Sequence, residues 1–142
     1  CMGPGIKKNK IIDTYVSNMD IAGTFLDYTK TEMLGDMTTR SLRKFLNGSW
    51  SDKDNKYRDY VSSGLAAWRM VVKDVNATTT WKFVCCQGSC PGRDFSKDKK
   101  DGLIQLLFNV VDDLYEEKNI ASMYPDVVSD MKALLPPGFC VP

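Results

Sequence analysis

The 142-residue sequence contains no histidine. That excludes every mechanism in which this chain supplies its own imidazole base, and every metal site built on imidazole ligands. Net charge is nearly absent too, since 19 Lys and Arg against 18 Asp and Glu leave a formal +1. Such a balance gives no electrostatic ground for binding nucleic acid or an acidic membrane surface. Long apolar runs are missing as well, and none approaches the roughly 20 residues that a membrane-spanning helix needs. No charged-then-apolar leader opens the sequence at Cys1, so the chain is expected to begin inside a longer protein. Internal repeats and low-complexity segments are also lacking.

Against these absences stand five cysteines: Cys1, Cys85, Cys86, Cys90 and Cys140. Their spacing is not the paired knuckle of a zinc site. Neighbours on a strand face opposite sides, so Cys85 and Cys86 are not expected to pair with each other. A disulfide from one of them to Cys90, or to Cys140, is expected. The odd count leaves at least one thiol free, or paired to chain beyond this sequence. Two sequons, Asn47-Gly48-Ser49 and Asn76-Ala77-Thr78, make Asn47 and Asn76 candidate glycosylation sites in polar, turn-prone segments. Clustered cysteines and sequons together point to the secretory pathway, lysosomal or extracellular. Basic residues gather at Lys7-Lys8-Asn9-Lys10 and Lys97-Asp98-Lys99-Lys100, and both runs read as solvated loops.

The pattern of elements predicts an α+β fold. After a Gly3-Pro4-Gly5 loop, Ile11–Val16 is a short β-prone piece. Asp20 fits a helix N-cap, and Ile21, Ala22, Phe25 and Leu26 recur at helical spacing over about 20–28. Ser41–Leu46 reads as a short helix ended by Asn47-Gly48. Tyr57–Ser63, Trp68–Lys73 and Trp81–Cys86 are Val-, Tyr- and Trp-rich strands joined by short loops, which favours an antiparallel meander. Gln87–Gly102 reads as a long irregular loop, and Leu103–Val111 as a fourth strand covered on both faces. An acidic turn and a short polar helix start follow. Pro125 then opens a helix whose apolar stripe is Val127, Val128, Met131, Leu134 and Leu135, stopped by Pro136-Pro137. The expectation is a small antiparallel sheet of about four strands with a C-terminal helix packed on it, preceded by a helical segment.

Four collinear segments then resemble type I sulfatases, the arylsulfatase-like members of the alkaline-phosphatase superfamily. Gly3-Pro4-Gly5-Ile6, with Val16-Ser17-Asn18-Met19-Asp20-Ile21-Ala22-Gly23-Thr24-Phe25-Leu26-Asp27, is similar to the family's Gly-Pro-Gly-Ile and Val-Ser-x-x-Asp-Leu-Ala-Pro-Thr-Leu-Leu-Asp. Arg40-Ser41-Leu42 through Leu46-Asn47-Gly48 is similar to its Gly-Arg-Ser-Leu…Leu-x-Gly. Tyr60–Gly64, Trp68–Val71 and Trp81–Phe83 resemble the strands that open its small C-terminal domain. Asp112-Asp113-Leu114-Tyr115-Glu116, running to Asn119-Ile120-Ala121, is similar to the closing turn of that domain. Gly23 and Leu114 replace family prolines, and Cys85-Cys86 with the loop to Gly102 looks like an insertion.

The resemblance implies that residues 1–50 end the large α/β catalytic domain and residues 51–142 form the C-terminal subdomain. It implies a sulfuric ester hydrolase whose formylglycine and calcium belong to residues upstream, so that no catalytic, cofactor or metal residue lies in this chain. The implied partners are the N-terminal catalytic domain and, in the whole protein, a sulfated small molecule or glycan, with no nucleic acid and no membrane. The isolated chain is expected to be inactive.

Several residues tempt a stronger reading. Cys90-Pro91-Gly92-Arg93 imitates the formylglycine motif, but its Pro and Arg are each one place early. Asp112-Asp113 could be taken for a calcium pair, although calcium needs six to eight converging oxygens and Asx turns explain such a pair more simply. Trp68 and Arg69 are weak candidates for a wall of a substrate site. The alternative functions are a secreted binding module without catalysis and the tail of a related phosphonate or phosphate ester hydrolase.

Overall fold

The computed structural model describes residues 3–35, 37–51, 57–90, 92 and 94–141. The chain divides into two units, residues 1–59 and 60–142. Among the described residues no helix is long and apolar enough to cross a membrane.

The first unit is built on helix α1, Met19–Thr29, and the single-turn helix α2, Arg43–Leu46. Asp20 is not the N-cap that its position suggested. Asn18 holds that position without a side-chain cap; the Ser17 Oγ accepts from the Met19 N–H, and the Asp20 carboxylate, inside the first turn, reaches back to accept from the Ser17 N–H at 2.8 Å. These two bonds tie the chain entering the helix to its first turn. The helix ends in a left-handed Lys30, where the Thr31 N–H donates to Leu26 O at 2.9 Å. Ile11–Val16 forms no strand, because a β-prone segment is stable only against a partner that takes up its backbone groups.

The buried face of α1 is polar. Asp20, Gly23 and Thr24 are buried, and with Asp27 they hold the segment 38–43. Arg40 N–H donates to Asp20 Oδ1 at 2.9 Å, Leu42 N–H to Thr24 Oγ1 at 2.8 Å, and Ser41 Oγ to Asp27 Oδ2 at 2.5 Å. The Thr39 hydroxyl accepts from Gly23 N–H and donates to Met19 O, bridging the first turn. A Cβ at Gly23 would lie 2.5 Å from that hydroxyl, so the position admits only glycine. The apolar stripe lies on the other side and is open, with Ile21 53%, Phe25 67% and Tyr28 49% exposed.

The second unit is one antiparallel sheet in the order β1-β2-β3-β5-β4. Its strands are β1 Tyr60–Leu65, β2 Trp68–Asn76, β3 Thr79–Gln87, β4 Lys99–Lys100 and β5 Leu103–Asn109. The first therefore starts three residues later than the sequence suggested. Nor is Gln87–Gly102 irregular throughout, since it contains a 3₁₀ turn, Ser96–Asp98, and β4. Asp101 and Gly102 both have positive φ, 51° and 80°, and form the two-residue turn between β4 and β5. Gly64 is needed for close approach in the first hairpin, where a Cβ would sit 2.5 Å from Trp68 O.

β5 is covered on both faces. Leu103 and Leu107 join Val71, Phe83, Cys85, Met131, Leu135 and Cys140 in one core. Ile104, Leu106 and Phe108 join Cys86 in the other, with Trp68, Val84, Cys90 and Phe95 packed against it. Each fully buried Leu or Phe contributes about 1.5–3 kcal/mol, so this strand carries much of the unit. Helix α3, Pro125–Lys132, lies on the first core with Pro125 in its first turn. It stops three residues short of Leu135, and Leu134 and Leu135 pack from the turn after it. No helix forms between the acidic turn and the 3₁₀ turn Ala121–Met123. There the Asp113 carboxylate accepts from the N–H groups of Glu117 and Lys118, and Glu116 sits at φ 55°.

Candidate functional site

Trp68 and Arg69 are adjacent on β2 and therefore point to opposite faces. The structure does not bring them together. Arg69 Nη1 donates to Ala66 O and Trp68 O, and its guanidinium stacks 4.7 Å from the Phe139 ring centre. The side chain is spent on holding the C-terminal segment. Trp68 borders a pocket of about 170 Å³ on the other face, together with Met70, Val84, Phe95 and Phe108. Its polar rim is the pair Lys82–Glu116, with Lys82 Nζ 2.6 and 2.7 Å from the two carboxylate oxygens. The pair is satisfied within itself, so the pocket offers apolar contact and little unspent polarity.

A second cavity, of about 700 Å³, lies where β4 and β5 meet the start of α3. Lys97, Lys99 and Lys100 border it together with Asp98 and Asp101, as does Asn119. Asn119 is its structural pin. β4 is only two residues long and leaves the outer edge of β5 uncovered beyond Ile104. Asn119 covers that edge. Its Oδ1 accepts from Leu107 N–H at 3.1 Å and from Ala121 N–H at 3.0 Å. Its Nδ2 donates to Gln105 O at 3.2 Å and to Asp98 Oδ1 at 2.7 Å. Buried backbone groups at a strand edge need such partners, so one side chain fixes both walls.

In the first unit the Asp20 carboxylate receives Arg58 Nε at 3.2 Å and Arg58 Nη2. Burial alone would raise the Asp20 pKa. The Arg58 hydrogen bonds, the Ser17 and Arg40 N–H groups and the Arg58 charge outweigh it and hold the carboxyl below its ordinary value. Tyr57 packs edge-on against Phe45, 4.8 Å between ring centres. Its buried hydroxyl makes no hydrogen bond of ordinary geometry. Burial, with the Asp20 charge beside it, pushes the phenol up to about 12.

The remaining sequence candidates are dispersed. Asn47 and Asn76 are exposed, one after α2 and one at the end of β2. Cys85 is bonded to Cys140 and Cys86 to Cys90. Cys1, Pro91 and Arg93 lie outside the described residues. Among the described residues, the candidates for a formylglycine or calcium role have other partners. Cys90 is committed to a disulfide, and Asp112 and Asp113 accept from the Asn109 side chain and from turn N–H groups. Among the described residues no group of three or more Cys, Asp or Glu could hold a metal. Sequence reasoning missed Asn119, the Lys82–Glu116 pair and the lysine-bordered cavity. Only the last had a local signal, the Asp-Gly turn that folds Lys99-Lys100 back onto β5.

No family model matches the chain, and no curated protein matches it. Solved structures do. One is a Bacteroides thetaiotaomicron VPI-5482 protein assigned as a sulfatase, with a TM-score of 0.62 and 21% identity over 93% of this chain. Another is a Bacteroides thetaiotaomicron chain labelled 6S-sulf, described in connection with the metabolism of multiple glycosaminoglycans. Its TM-score is 0.53, with 20% identity over 81% of this chain. The chain spans only 27% and 23% of those two proteins. At such identity the likeness is one of fold: this chain has a fold found within sulfatases.

Proposed function

We propose that the chain is the C-terminal portion of a type I sulfatase, a lobe that supports a catalytic domain and does no chemistry itself. The observation that carries this reading is the reversed polarity of α1. Its polar face is buried against residues 38–43, while Ile21, Phe25 and Tyr28 face outward. Contiguous exposed apolar surface of this kind marks a contact with further protein. The fold likeness, confined to about a quarter of each neighbour, supports the same reading and supplies the class.

On this reading the formylglycine nucleophile and calcium are held by the catalytic domain, which supplies the cationic environment for the transferring sulfuryl group. The substrate is a sulfate ester, on a small molecule or a glycan. The two disulfides support folding in an oxidising compartment, hence a secreted or lysosomal protein.

The test is turnover of an aryl sulfate in the presence of calcium, by this chain and by the protein extended upstream through a Cys-x-Pro-x-Arg motif. The extended protein is expected to turn over and the chain alone to be silent. Activity in the chain alone overturns the placement of the chemistry. Silence in a matured extended protein overturns the class, and a phosphonate or phosphate ester substrate would then replace the sulfate ester.

A further inference from the structure

The two disulfides differ in what a reagent can reach. Cys85 and Cys140 are both fully buried and lie in the core under α3. Phe139, with the Arg69 guanidinium stacked on it, packs against that core. Cys86 is equally buried, but its partner Cys90 is only half-buried. Gln87, Gly88 and Ser89, the residues between them, are all exposed. A reagent can therefore approach the second pair from the Cys90 side and finds no such approach to the first. We propose that Cys86–Cys90 is a thiol-exchange site, opened by a dithiol reductant while Cys85–Cys140 stays closed, and that opening it uncovers the apolar pocket on its face of the sheet. The proposal goes beyond the sulfatase reading and does not rest on it.

The exchange balances as an ordinary two-electron step. One thiolate of the reductant attacks Cys90 Sγ. The S–S bond breaks, and Cys86 leaves as a thiolate and takes a proton from solvent. The second thiolate of the reductant then attacks the first reductant sulfur and releases Cys90, which is protonated in turn. The protein disulfide has gained two electrons and two protons, and the dithiol has become a disulfide.

The pocket of about 170 Å³ shows what the bond controls. Trp68, Met70, Val84, Leu106 and Phe108 stand on β2, β3 and β5 and stay with the sheet. Cys90 and Phe95 come from the segment after β3, and both pack on the second core. The disulfide is the covalent tie that holds Cys90 there. It joins residues only four apart, so its chain-entropy contribution is small and its loss is expected to leave the sheet folded. Asp98 stays bound to Asn119 Nδ2 at 2.7 Å, which keeps the far end of the segment in place. Reduction thus frees one wall and leaves the others as an exposed apolar patch, the kind of surface that contacts a further molecule.

A disulfide that only fastens the chain has no such consequence, and experiment separates the two roles. The whole chain is blocked with N-ethylmaleimide, treated with graded dithiothreitol in native buffer and quenched with iodoacetamide. Fragment-ion mapping then tells Cys85 from Cys86. Cys86 and Cys90 are expected to be alkylated about tenfold faster than Cys85 and Cys140, since access governs exchange. While only that pair is open, binding of the neutral dye Nile red is expected to rise about twofold. Hydrogen exchange is expected to quicken in the peptides carrying Cys90 and Phe95 and not in α3. The dye gain should survive Ile21→Ser with Phe25→Ser, which removes the open stripe of α1 from the signal. C86A/C90A should bind the dye at the reduced level without reductant, and far-UV circular dichroism checks that it folds.

Equal rates for the two pairs, or no opening short of unfolding, overturns the exchange site. Selective opening with unchanged dye binding, or with unchanged hydrogen exchange around Cys90 and Phe95, overturns the control of the pocket. None of these readouts needs turnover, so failure here and failure of the sulfatase reading are told apart.

Discussion

Cys85 and Cys86 are consecutive residues of β3, yet they are tied to opposite faces of the sheet. Cys85 bonds to Cys140 across 55 residues and fastens the C-terminal segment over the α3 face. Cys86 bonds to Cys90 across four residues and fastens the following loop over the other. The alternation of a strand makes this possible, and it explains why neighbouring cysteines serve two closures.

The two bonds are expected to differ in worth. Chain-entropy scaling gives about 4 kcal/mol for a loop of 55 residues and about 2 kcal/mol for one of four. Replacing Cys85 and Cys140 with alanine should therefore lower unfolding stability roughly twice as much as replacing Cys86 and Cys90. Urea unfolding followed by far-UV circular dichroism measures both. Equal losses would show that buried packing of the sulfurs, rather than loop closure, sets the cost.

Asp20 predicts an acid-sensitive first unit. Its carboxyl is fully buried and held below its ordinary pKa against burial, chiefly by Arg58. A depressed carboxyl contributes stability that is fully present above the unfolded value near pH 4, and loses it as pH falls through the lower folded value. Wild type should weaken across that window, while Asp20→Asn should show a flatter acid profile from a lower starting stability. Leaving the Arg58 charge without its partner is expected to cost about 3–5 kcal/mol at neutral pH. A variant as stable as wild type at pH 7 would remove the pair from the list of what holds α1.

The sheet was legible in the sequence because β-rich runs, short links and the apolar run at Leu103 all agree. So was the C-terminal helix, through Pro125 and the stripe Val127, Val128 and Met131. Boundaries slipped where local chemistry was ambiguous. Ile11–Val16 has strand composition but finds no partner, and Leu134-Leu135 keep helical spacing after the helix has ended. β4 was hidden by length, since two lysines carry no periodicity. The Asp101-Gly102 turn announced it nonetheless. Asp20 had the right residue type for a cap, but the helix starts one residue before it, and its carboxylate reaches back to the Ser17 N–H from inside the first turn. The apolar pattern of α1 gave its helicity and could not say which face would be buried. Polar partners at Thr39, Arg40 and Ser41 decided that, through contacts 14 to 20 residues away. Asn119 was legible only as part of a resemblance, because its four bonds depend on where β4 stops.

The exposed stripe of α1 makes opposite predictions in two settings. In this chain, Ile21→Ser with Phe25→Ser should change unfolding stability by less than about 0.5 kcal/mol per site, as surface substitutions do. It should also lower binding of a hydrophobic dye and reduce self-association in sedimentation. In the protein extended upstream, the same pair should cost about 3 kcal/mol or more, because both side chains would leave a buried contact. A large loss in the short chain would mean that the stripe is already covered within it.

The two sequons share one geometry, and they should nonetheless differ in occupancy. Asn76 Oδ1 accepts from Thr78 N–H and Oγ1, both at 2.9 Å, and Asn47 Oδ1 accepts from Ser49 N–H at 2.9 Å and Oγ at 2.7 Å. Each hydroxyl is thus placed against the amide, and each Nδ2 is left on an exposed side chain. Asn76, Ala77 and Thr78 are all exposed at a hairpin turn. Gly48, in the other sequon, is only partly exposed, and a Cβ there would meet Lys7 Cδ at 2.5 Å. Lys7 thus crowds the residue beside Asn47, whereas the residues around Asn76 are open, and this is the basis for the expected difference. Expression through a secretory host should yield a glycoprotein in which enzymatic deglycosylation and peptide mass mapping find Asn76 the more fully modified. Thr78→Ser should keep the modification and Thr78→Val should abolish it with the asparagine intact. Retention in Thr78→Val would mean that the mass lies elsewhere, and an unmodified Asn76 in a secreted, disulfide-bonded product would show that accessibility at the turn is not what governs the reaction.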